Sequence, residues 1–214
     1  MFIYYLGSFW NQQLEPTDIS AVWESNEFKD FDLFMKQNKN QIIKSTQDHL
    51  EKSKELSLLD FDRPHQNLMN ASPNKDSWKI VFLKYFGKRV VKSGILSKIC
   101  QYPIVYNASI SILESNGVIP PHVGQCKGLV KYHFPIDIPE GDLGMLYDNV
   151  IYKWEERALF DDTHLHSVWN YTSKRRIILL FDLIRPMPFP WNILNERVLS
   201  LAWLDKSVRE HEYS

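Results

Sequence analysis

The sequence predicts a mainly β protein with flanking helices, and three observations favour this fold class. Short apolar segments separated by turn residues recur from residue 104 to residue 184, a spacing typical of an antiparallel sandwich or barrel. Stretches with helical periodicity lie before and after these segments. The chain has 214 residues, of which 44% are hydrophobic, so it can bury a core of its own. We expect a single domain over residues 1–214.

The N-terminal part, residues 1–75, is predicted to be helical and to end in a long loop. A helix is predicted over residues 31–54, with Asp30 in the N-cap position. The apolar residues that recur there at turn spacing are Phe31, Phe34, Ile42, Ile43 and Leu50. Residues 55–76 contain Pro64, Pro73 and several Asn and Ser residues with little periodicity, which indicates a loop.

Residues 76–186 are predicted to form a β-sandwich core. Its first strand runs from Trp78 to Phe86, and a short helix follows from about residue 90 to Cys100. Further strands are predicted at residues 104–113, 128–134, 143–147, 157–160, 166–170 and 176–184. Residues 187–214 are predicted to be a C-terminal helix, whose apolar face is formed by Ile193, Leu194, Val198, Leu201 and Leu204.

Composition limits the classes of binding partner and the cellular compartment that we expect for this protein. Lys and Arg number 25 against 26 Asp and Glu, and no basic block argues for a groove that attracts nucleic acid. Cys100 and Cys126 cannot build a disulfide framework, which fits a reducing compartment. No apolar stretch approaches the roughly 20 residues that span a bilayer. We therefore expect a cytoplasmic protein that acts on a peptide, a protein or a small molecule.

Several polar residues fall on predicted inward faces of strands. Alternation places Ser109 and Ser111 on one face of their strand, and it places Lys131 with His133 on the next. Arg176 begins the last long strand, on the same face as Ile178. Lys and Arg are seldom buried unless an anion pairs with them. This pattern predicts an anionic ligand inside the barrel.

Two histidine-bearing segments suggest what lies beside that anion. The first is Pro120-Pro121-His122-Val123-Gly124, and the second, between Phe160 and Asn170, contains both His164 and His166. Imidazole binds Fe(II) well, and a guanidinium holds a carboxylate in bidentate fashion. If the segments meet in space, they form an iron site next to a keto acid. From the residues alone, either His164 or His166 could be the second ligand, and His122 could be an ordinary surface histidine.

Together the segments resemble the aspartyl/asparaginyl β-hydroxylase family of Fe(II)/2-oxoglutarate-dependent dioxygenases, over about residues 75–186. The marks of that family are a serine eleven residues before Pro-His-x-Gly, a later histidine on a strand, Trp-Glu-Glu, Phe-Asp-Asp-Ser/Thr-x-x-His and a final arginine. In this chain they are Ser111, Pro121-His122-Val123-Gly124, His133, Trp154-Glu155-Glu156, the segment from Phe160 to Trp169, and Arg176.

The resemblance implies a double-stranded β-helix, which is a jelly-roll or cupin-like fold. It implies C–H hydroxylation that uses Fe(II), 2-oxoglutarate and O2. It also implies roles for six residues: iron ligation by His122 and His166, contact with the distal carboxylate by Ser111 and Arg176, and contact with the iron-chelating end by Lys131 and His133.

The family pattern lacks one ligand that most related oxygenases have, and the chain departs from that pattern at three further positions. Gly124 stands where most related oxygenases have a carboxylate ligand, so the resemblance implies a site with two histidine ligands. Lys131 replaces an arginine and loses its bidentate fork. Arg157 replaces a glycine, which we interpret as a tolerated loop change. Leu129 replaces an arginine that animal members direct at the substrate carboxylate.

Other interpretations stay open at this stage. The same chemistry could act on a free amino acid or a lipid acyl chain, and a cupin-like binding module without catalysis is a further alternative. Trp154 and Trp169 are expected to serve packing. Asp161 and Asp162 could orient His166 or form a solvated turn.

Overall fold

The computed structural model describes residues 9–60 and 63–201, and its core consists of two facing antiparallel sheets. The larger sheet contains β1 (Leu56–Ser57), β2 (Trp78–Tyr85), β3 (Lys88–Arg89), β4 (Val105–Leu113), β6 (Leu129–Asp137), β9 (Ala158–Phe160) and β11 (Arg176–Ile184). The smaller sheet contains β5 (Gly117–His122), β7 (Leu143–Tyr147), β8 (Val150–Tyr152) and β10 (His166–Asn170). Apolar side chains from both sheets share one core cluster between them.

The strand order identifies the fold. From β4 to β11, the larger sheet has the order β4-β11-β6-β9 and the smaller has the order β5-β10-β7-β8. Successive strands therefore alternate between the sheets, except at the β7–β8 hairpin. This arrangement of eight antiparallel strands in two sheets is a jelly roll, or double-stranded β-helix. The predicted fold class is confirmed.

Four helices pack on the outer face of the larger sheet: α1 (Ile19–Glu24), α2 (Asn26–Gln37), α3 (Lys39–Leu50) and α5 (Gly94–Ile99). Helix α4 (Arg63–Asn70) contacts β5, and α6 (Trp191–Ser200) packs beside Tyr106 and Leu129. Phe31 of α2 is fully buried, and its ring lies 5.4 Å from both Tyr132 and Phe181, measured between centroids. Burial of such apolar side chains supplies most of the stabilisation of the fold.

The opposite, inner face of the larger sheet carries the polar residues. Residues directly opposite each other in a sheet point to the same side. Ile178 lies opposite Ser111, Leu180 lies opposite His133, and Asp182 lies opposite Lys131. Arg176 has the same parity as Ile178 on β11 and therefore shares that face. The face predicted for these residues is thus correct.

The N-terminal predictions need correction. The helix predicted over residues 31–54 is in fact two helices, α2 and α3. Ser25 caps the first turn of α2, because its side chain accepts a hydrogen bond from the backbone N–H of Phe28. Asp30 lies inside α2 and is not a cap. The predicted loop over residues 55–76 contains β1, a short 3-10 turn and α4.

Four strands escaped prediction, and the C-terminal helix differs in extent and burial. Sequence reasoning missed β5, β8 and the two-residue strands β1 and β3, and the short helix predicted from about residue 90 begins only at Gly94. The C-terminal helix spans Trp191–Ser200, and Ile193 and Leu194 on its expected apolar face are exposed. Leu204 and the rest of the tail lie outside the described residues. No helix in the described ranges is long and apolar enough to cross a membrane.

Candidate functional site

Two histidines from neighbouring strands lie side by side in the smaller sheet. The register of β5 and β10 places His122 opposite His166, and their ring centroids are 4.1 Å apart. His164, the alternative from the sequence, is half-exposed, and its Nδ1 lies 2.5 Å from Asp148 Oδ2. The structure therefore pairs His122 with His166.

Backbone carbonyls fix the tautomer of both rings. His122 Nδ1 lies 2.8 Å from the carbonyl oxygen of Pro120, and His166 Nδ1 lies 2.9 Å from that of His164. A carbonyl oxygen only accepts, so each Nδ1 carries the proton and each Nε2 keeps its lone pair. Burial lowers the pKa of His122 to about 4, with His166 adding to the effect, and burial also lowers the pKa of His166. Both rings are therefore neutral near pH 7, as metal ligation requires.

A carboxylate approaches this pair from an unexpected position. Gly124 stands two residues after His122, and a Cβ built on it would lie 2.1 Å from the carboxylate carbon of Asp162. The glycine is therefore needed for the close approach of Asp162, which is itself buried. In residues 9–60 and 63–201, no group of three or more His, Cys, Asp or Glu side chains could hold a metal ion. Asp162 therefore does not join the two imidazoles as a third candidate ligand.

The positive charge of Lys131 is balanced by two carboxylates. Its ammonium contacts Asp182 and lies 3.3 Å from Asp162 Oδ2. Burial lowers the pKa of Lys131, but the two carboxylates outweigh it and hold the pKa above its ordinary value. Burial raises the pKa of Asp162, while Lys131 opposes that rise. The role predicted for Lys131 toward a ligand stays a prediction, because its charge has partners within the protein.

The positive charge of Arg176 is not balanced by a carboxylate of the described residues. Its side chain is only 1% exposed, and no described carboxylate forms an ion pair with it. One guanidinium nitrogen donates to Ser111 Oγ at 3.4 Å, the guanidinium carbon lies 4.9 Å from the Trp154 ring centroid, and Nε has no hydrogen-bond partner. Burial lowers the pKa of Arg176 to about 9, so the group remains charged at neutral pH. A buried, uncompensated cation favours an anionic ligand.

Trp154 and Trp78 orient the polar groups around Arg176. The Trp154 indole N–H donates to His133 Nδ1 at 3.1 Å, so the neutral His133 ring carries its proton on Nε2. Burial holds the pKa of His133 well below its usual value, with the Arg176 charge adding to the effect. The Trp78 indole N–H donates to Ser111 Oγ at 3.0 Å, which leaves the serine hydroxyl proton to donate elsewhere.

These side chains form a closed ring of contacts between the two sheets, which we call the circuit. Phe160 connects the histidine pair to His133, because its ring centroid lies 5.7 Å from that of His166 and 4.9 Å from that of His133. Trp78 closes the circuit, with its ring centroid 6.3 Å from His122. In order, the circuit contains His122, His166, Phe160, His133, Trp154, Arg176, Ser111 and Trp78. Two neutral imidazoles and a cation without a carboxylate partner among the described residues thus belong to one connected set of side chains.

The circuit includes residues that sequence reasoning missed. Strand alternation could have placed Trp78 and Phe160 inward, since Trp78 lies opposite Leu113 and Phe160 lies opposite Lys131. Trp154 was expected to serve packing only, and it lies in a turn that has no periodic signal. Trp169 does serve packing, because it covers Gly144.

The two aspartates of the second histidine segment are buried, so the alternative of a solvated turn is wrong. Asp161 Oδ1 accepts from both the backbone N–H and the hydroxyl of Thr163. The backbone carbonyl of Asp162 accepts from the Gly124 N–H. Asp161 shapes the turn before His166, while Asp162 joins the loops that follow His122 and Phe160.

Comparisons with known proteins match this chain to a family. A family model described as aspartyl/asparaginyl beta-hydroxylase matches residues 28–186. The ornithine lipid ester-linked acyl 2-hydroxylase of Rhizobium tropici is 31% identical over 145 residues, and the match covers 62% of this chain and 50% of that protein. This chain therefore matches about half the length of that relative.

Solved structures with some likeness are cupin domains. The cupin domain of a transcriptional regulator from Enterobacter cloacae has a TM-score of 0.37 and 12% identity, and the likeness covers 52% of this chain and 99% of that chain. The Cnp3 cupin domain of Schizosaccharomyces pombe has a TM-score of 0.37 and 10% identity, and the likeness covers 56% of this chain and 70% of that chain. The fold assignment rests on the strand order given above.

Replacement of Gly124 by alanine tests the approach of Asp162. Because the added Cβ would lie 2.1 Å from the Asp162 carboxylate, Gly124→Ala should lower the free energy of unfolding by about 1–3 kcal/mol. In an Asp162→Ala background the same change should cost much less, because the obstructing atoms are absent. Urea unfolding of the four proteins measures this coupling. Additive penalties would contradict the close approach.

Proposed function

The chain belongs to the aspartyl/asparaginyl β-hydroxylase family, and from this premise we propose that it is an Fe(II)- and 2-oxoglutarate-dependent dioxygenase that hydroxylates a C–H bond. One observation carries the proposal beyond family membership. The buried Arg176 lacks a carboxylate partner among the described residues, and side-chain contacts through Ser111 and Trp78 connect it to the histidine pair. A dicarboxylate that binds a metal at the histidine pair and pairs with Arg176 would satisfy both groups.

His122 and His166 fit a resident Fe(II). Both rings are neutral, and both keep the Nε2 lone pair because Nδ1 is bonded to a carbonyl. Two protein ligands leave coordination positions for a keto acid and for O2. When bound, the metal and 2-oxoglutarate supply the O2 activation that amino-acid side chains cannot perform.

The chain's own residues bind and orient the cosubstrate. The Arg176 guanidinium and the Ser111 hydroxyl are positioned to donate to the distal carboxylate, and Arg176 adds charge to its hydrogen bonds. The Nε2–H of His133 is left to donate toward the keto-acid end, because Trp154 occupies Nδ1. The rings of Phe160, Trp78 and Trp154 line the space and exclude water from it.

Two observations favour a lipid acyl chain as the substrate over an Asp or Asn side chain. The relative from Rhizobium tropici is named for hydroxylating an acyl group of a lipid. Leu129, which replaces the arginine of animal members, lies in an apolar cluster with Tyr106 and Leu199. That position therefore offers no cation to a substrate carboxylate. An aspartyl or asparaginyl residue of a peptide is the second candidate.

Metal binding should depend on His122 and on only one of the two histidines of the second segment. His122→Ala and His166→Ala should each abolish tight Fe(II) or Co(II) binding, because each removes half of the protein donor set. His164→Ala should leave metal binding intact, since its ring contacts Asp148 instead. Titration of Co(II), followed by its visible absorption, measures the effect. Loss of metal in His164→Ala with retention in His166→Ala would show that the ligands are misassigned.

Replacement of Arg176 should separate cosubstrate binding from metal binding. Loss of one partner of a buried charge pair costs about 3–5 kcal/mol, or several hundred-fold in affinity at about 1.4 kcal/mol per tenfold. Arg176→Ala should therefore weaken 2-oxoglutarate binding sharply while the metal stays bound. Arg175→Ala is the matched control, because its guanidinium pairs with Glu55 outside the circuit. Oxygen-free calorimetry on iron-loaded protein decides the matter. Equal affinity in wild type and Arg176→Ala would favour the binding-module alternative.

The substrate class can be tested directly. Wild-type protein with Fe(II), 2-oxoglutarate and O2 should add one oxygen atom to a lipid acyl chain and release an equal amount of succinate. Parallel reactions with peptides that contain Asp and Asn provide the comparison, and mass spectrometry identifies the product. Oxidation of the peptides but not of the lipid would make an aspartyl or asparaginyl residue the favoured substrate.

A further inference from the structure

Arg157, which replaces the family glycine, ties the loop between β8 and β9 to helix α2. Its Nε contacts Asp32 Oδ1, and its guanidinium carbon lies 5.5 Å from the ring centroid of Trp23. The two charged residues are 125 positions apart in sequence. Helix and loop lie on the side of the larger sheet that faces away from the histidine pair. The arginine that replaces the glycine therefore has a specific ion-pair partner.

Asp32 collects three donors at a buried position. Besides Arg157, it accepts from the Tyr132 hydroxyl at 2.9 Å and from Lys36 Nζ at 2.9 Å. Burial raises the pKa of Asp32, but the hydrogen bonds from Arg157, Lys36 and Tyr132 outweigh it and hold the pKa below its ordinary value. The carboxylate is thus ionised at neutral pH and gathers charge-assisted bonds, which are stronger than neutral ones.

The residues that Asp32 holds are the chain neighbours of the cosubstrate site. Tyr132 precedes His133 on β6 and points to the opposite face. Arg157 precedes Ala158, which lies opposite His133 in the β6–β9 pair. Trp154 lies three residues before Arg157, and its indole contacts both His133 and Arg176. One carboxylate therefore anchors both segments that flank His133.

The strands on either side of the turn that carries Trp154 give it little support. The preceding strand β8 has three residues, all of them exposed, and the following strand β9 also has three residues. Glu155 and Glu156 are exposed, whereas Trp154 is buried between the sheets. Short edge strands open readily, so a turn between two of them needs a separate anchor to hold a buried side chain in place.

We propose that the Asp32–Arg157 pair is a positioning latch that fixes Trp154 and, through Trp154, the His133 tautomer and the Arg176 guanidinium. Its effect on 2-oxoglutarate rests on the function proposed above, whereas its effect on His133 does not. Arg157 and Asp32 touch neither ligand nor metal in this scheme, so they are positioning residues. A surface ion pair with no such role would affect stability alone.

The test restores the family residue with Arg157→Gly and measures two properties. In Zn(II)-loaded protein, calorimetry should show 2-oxoglutarate affinity reduced about tenfold, the range typical of lost outer-sphere partners. Zn(II) affinity should change less than about twofold, because the histidine pair is held by other contacts. Arg157→Lys should restore much of the affinity, since it keeps the charge. Arg175→Ala, which breaks another arginine ion pair, should match wild type.

The second property is the tautomer of His133, measured by nitrogen NMR on metal-free protein. Wild type should show the proton on Nε2, and Arg157→Gly should show a mixture as Trp154 leaves Nδ1. Asp32→Asn, which keeps size but removes charge, should give the same change and serves if Arg157→Gly does not fold. If wild type binds no 2-oxoglutarate, the proposed function fails while the tautomer still tests the latch. An unchanged His133 tautomer in both variants, or a loss of stability alone, would overturn the latch.

Discussion

The burial of the Arg176 charge is the constraint around which the rest of the structure is arranged. A guanidinium deep inside a protein is costly unless other groups compensate it. Here a tryptophan face and a serine hydroxyl provide partial compensation, and no described carboxylate completes it. This cost falls on the inner face of the larger sheet. Its outer face offsets this, because Phe31 and its neighbours pack against a continuous apolar surface.

The parts of the fold that could be predicted are those with a strong local signal. Strands β4, β6 and β11 alternate over nine residues each, and their inward faces followed from that alternation. Strand β5 escaped because Pro120 and Pro121 read as a turn. The structure tolerates them because, among the strands it describes, β5 pairs only with β10 and so lies at the edge of its sheet. Asn38 divides the predicted long helix, a break that apolar periodicity does not reveal.

The site was predictable in its residue types but not in its partnerships. The family spacing favoured His166 over His164, and the register of β5 and β10 supplies the physical reason for that pairing. The contacts of Lys131 with Asp162 and Asp182, and of Arg157 with Asp32, join residues far apart in sequence. No local pattern encodes such pairs. They follow only once the sheets fix which strands are neighbours.

The distribution of charge gives the site a direction. At one end Lys131 contacts Asp162 and Asp182, and this group carries a net negative charge when both carboxylates are ionised. Asp162 also acts electrostatically on His166, so this end favours a metal cation. At the other end Arg176 carries an uncompensated positive charge. A dicarboxylate that reached the first end without a metal would meet repulsion, whereas its distal carboxylate is attracted to Arg176. Under the proposed function, the same charges would favour one orientation of the cosubstrate and make its binding depend on prior occupation of the histidine pair.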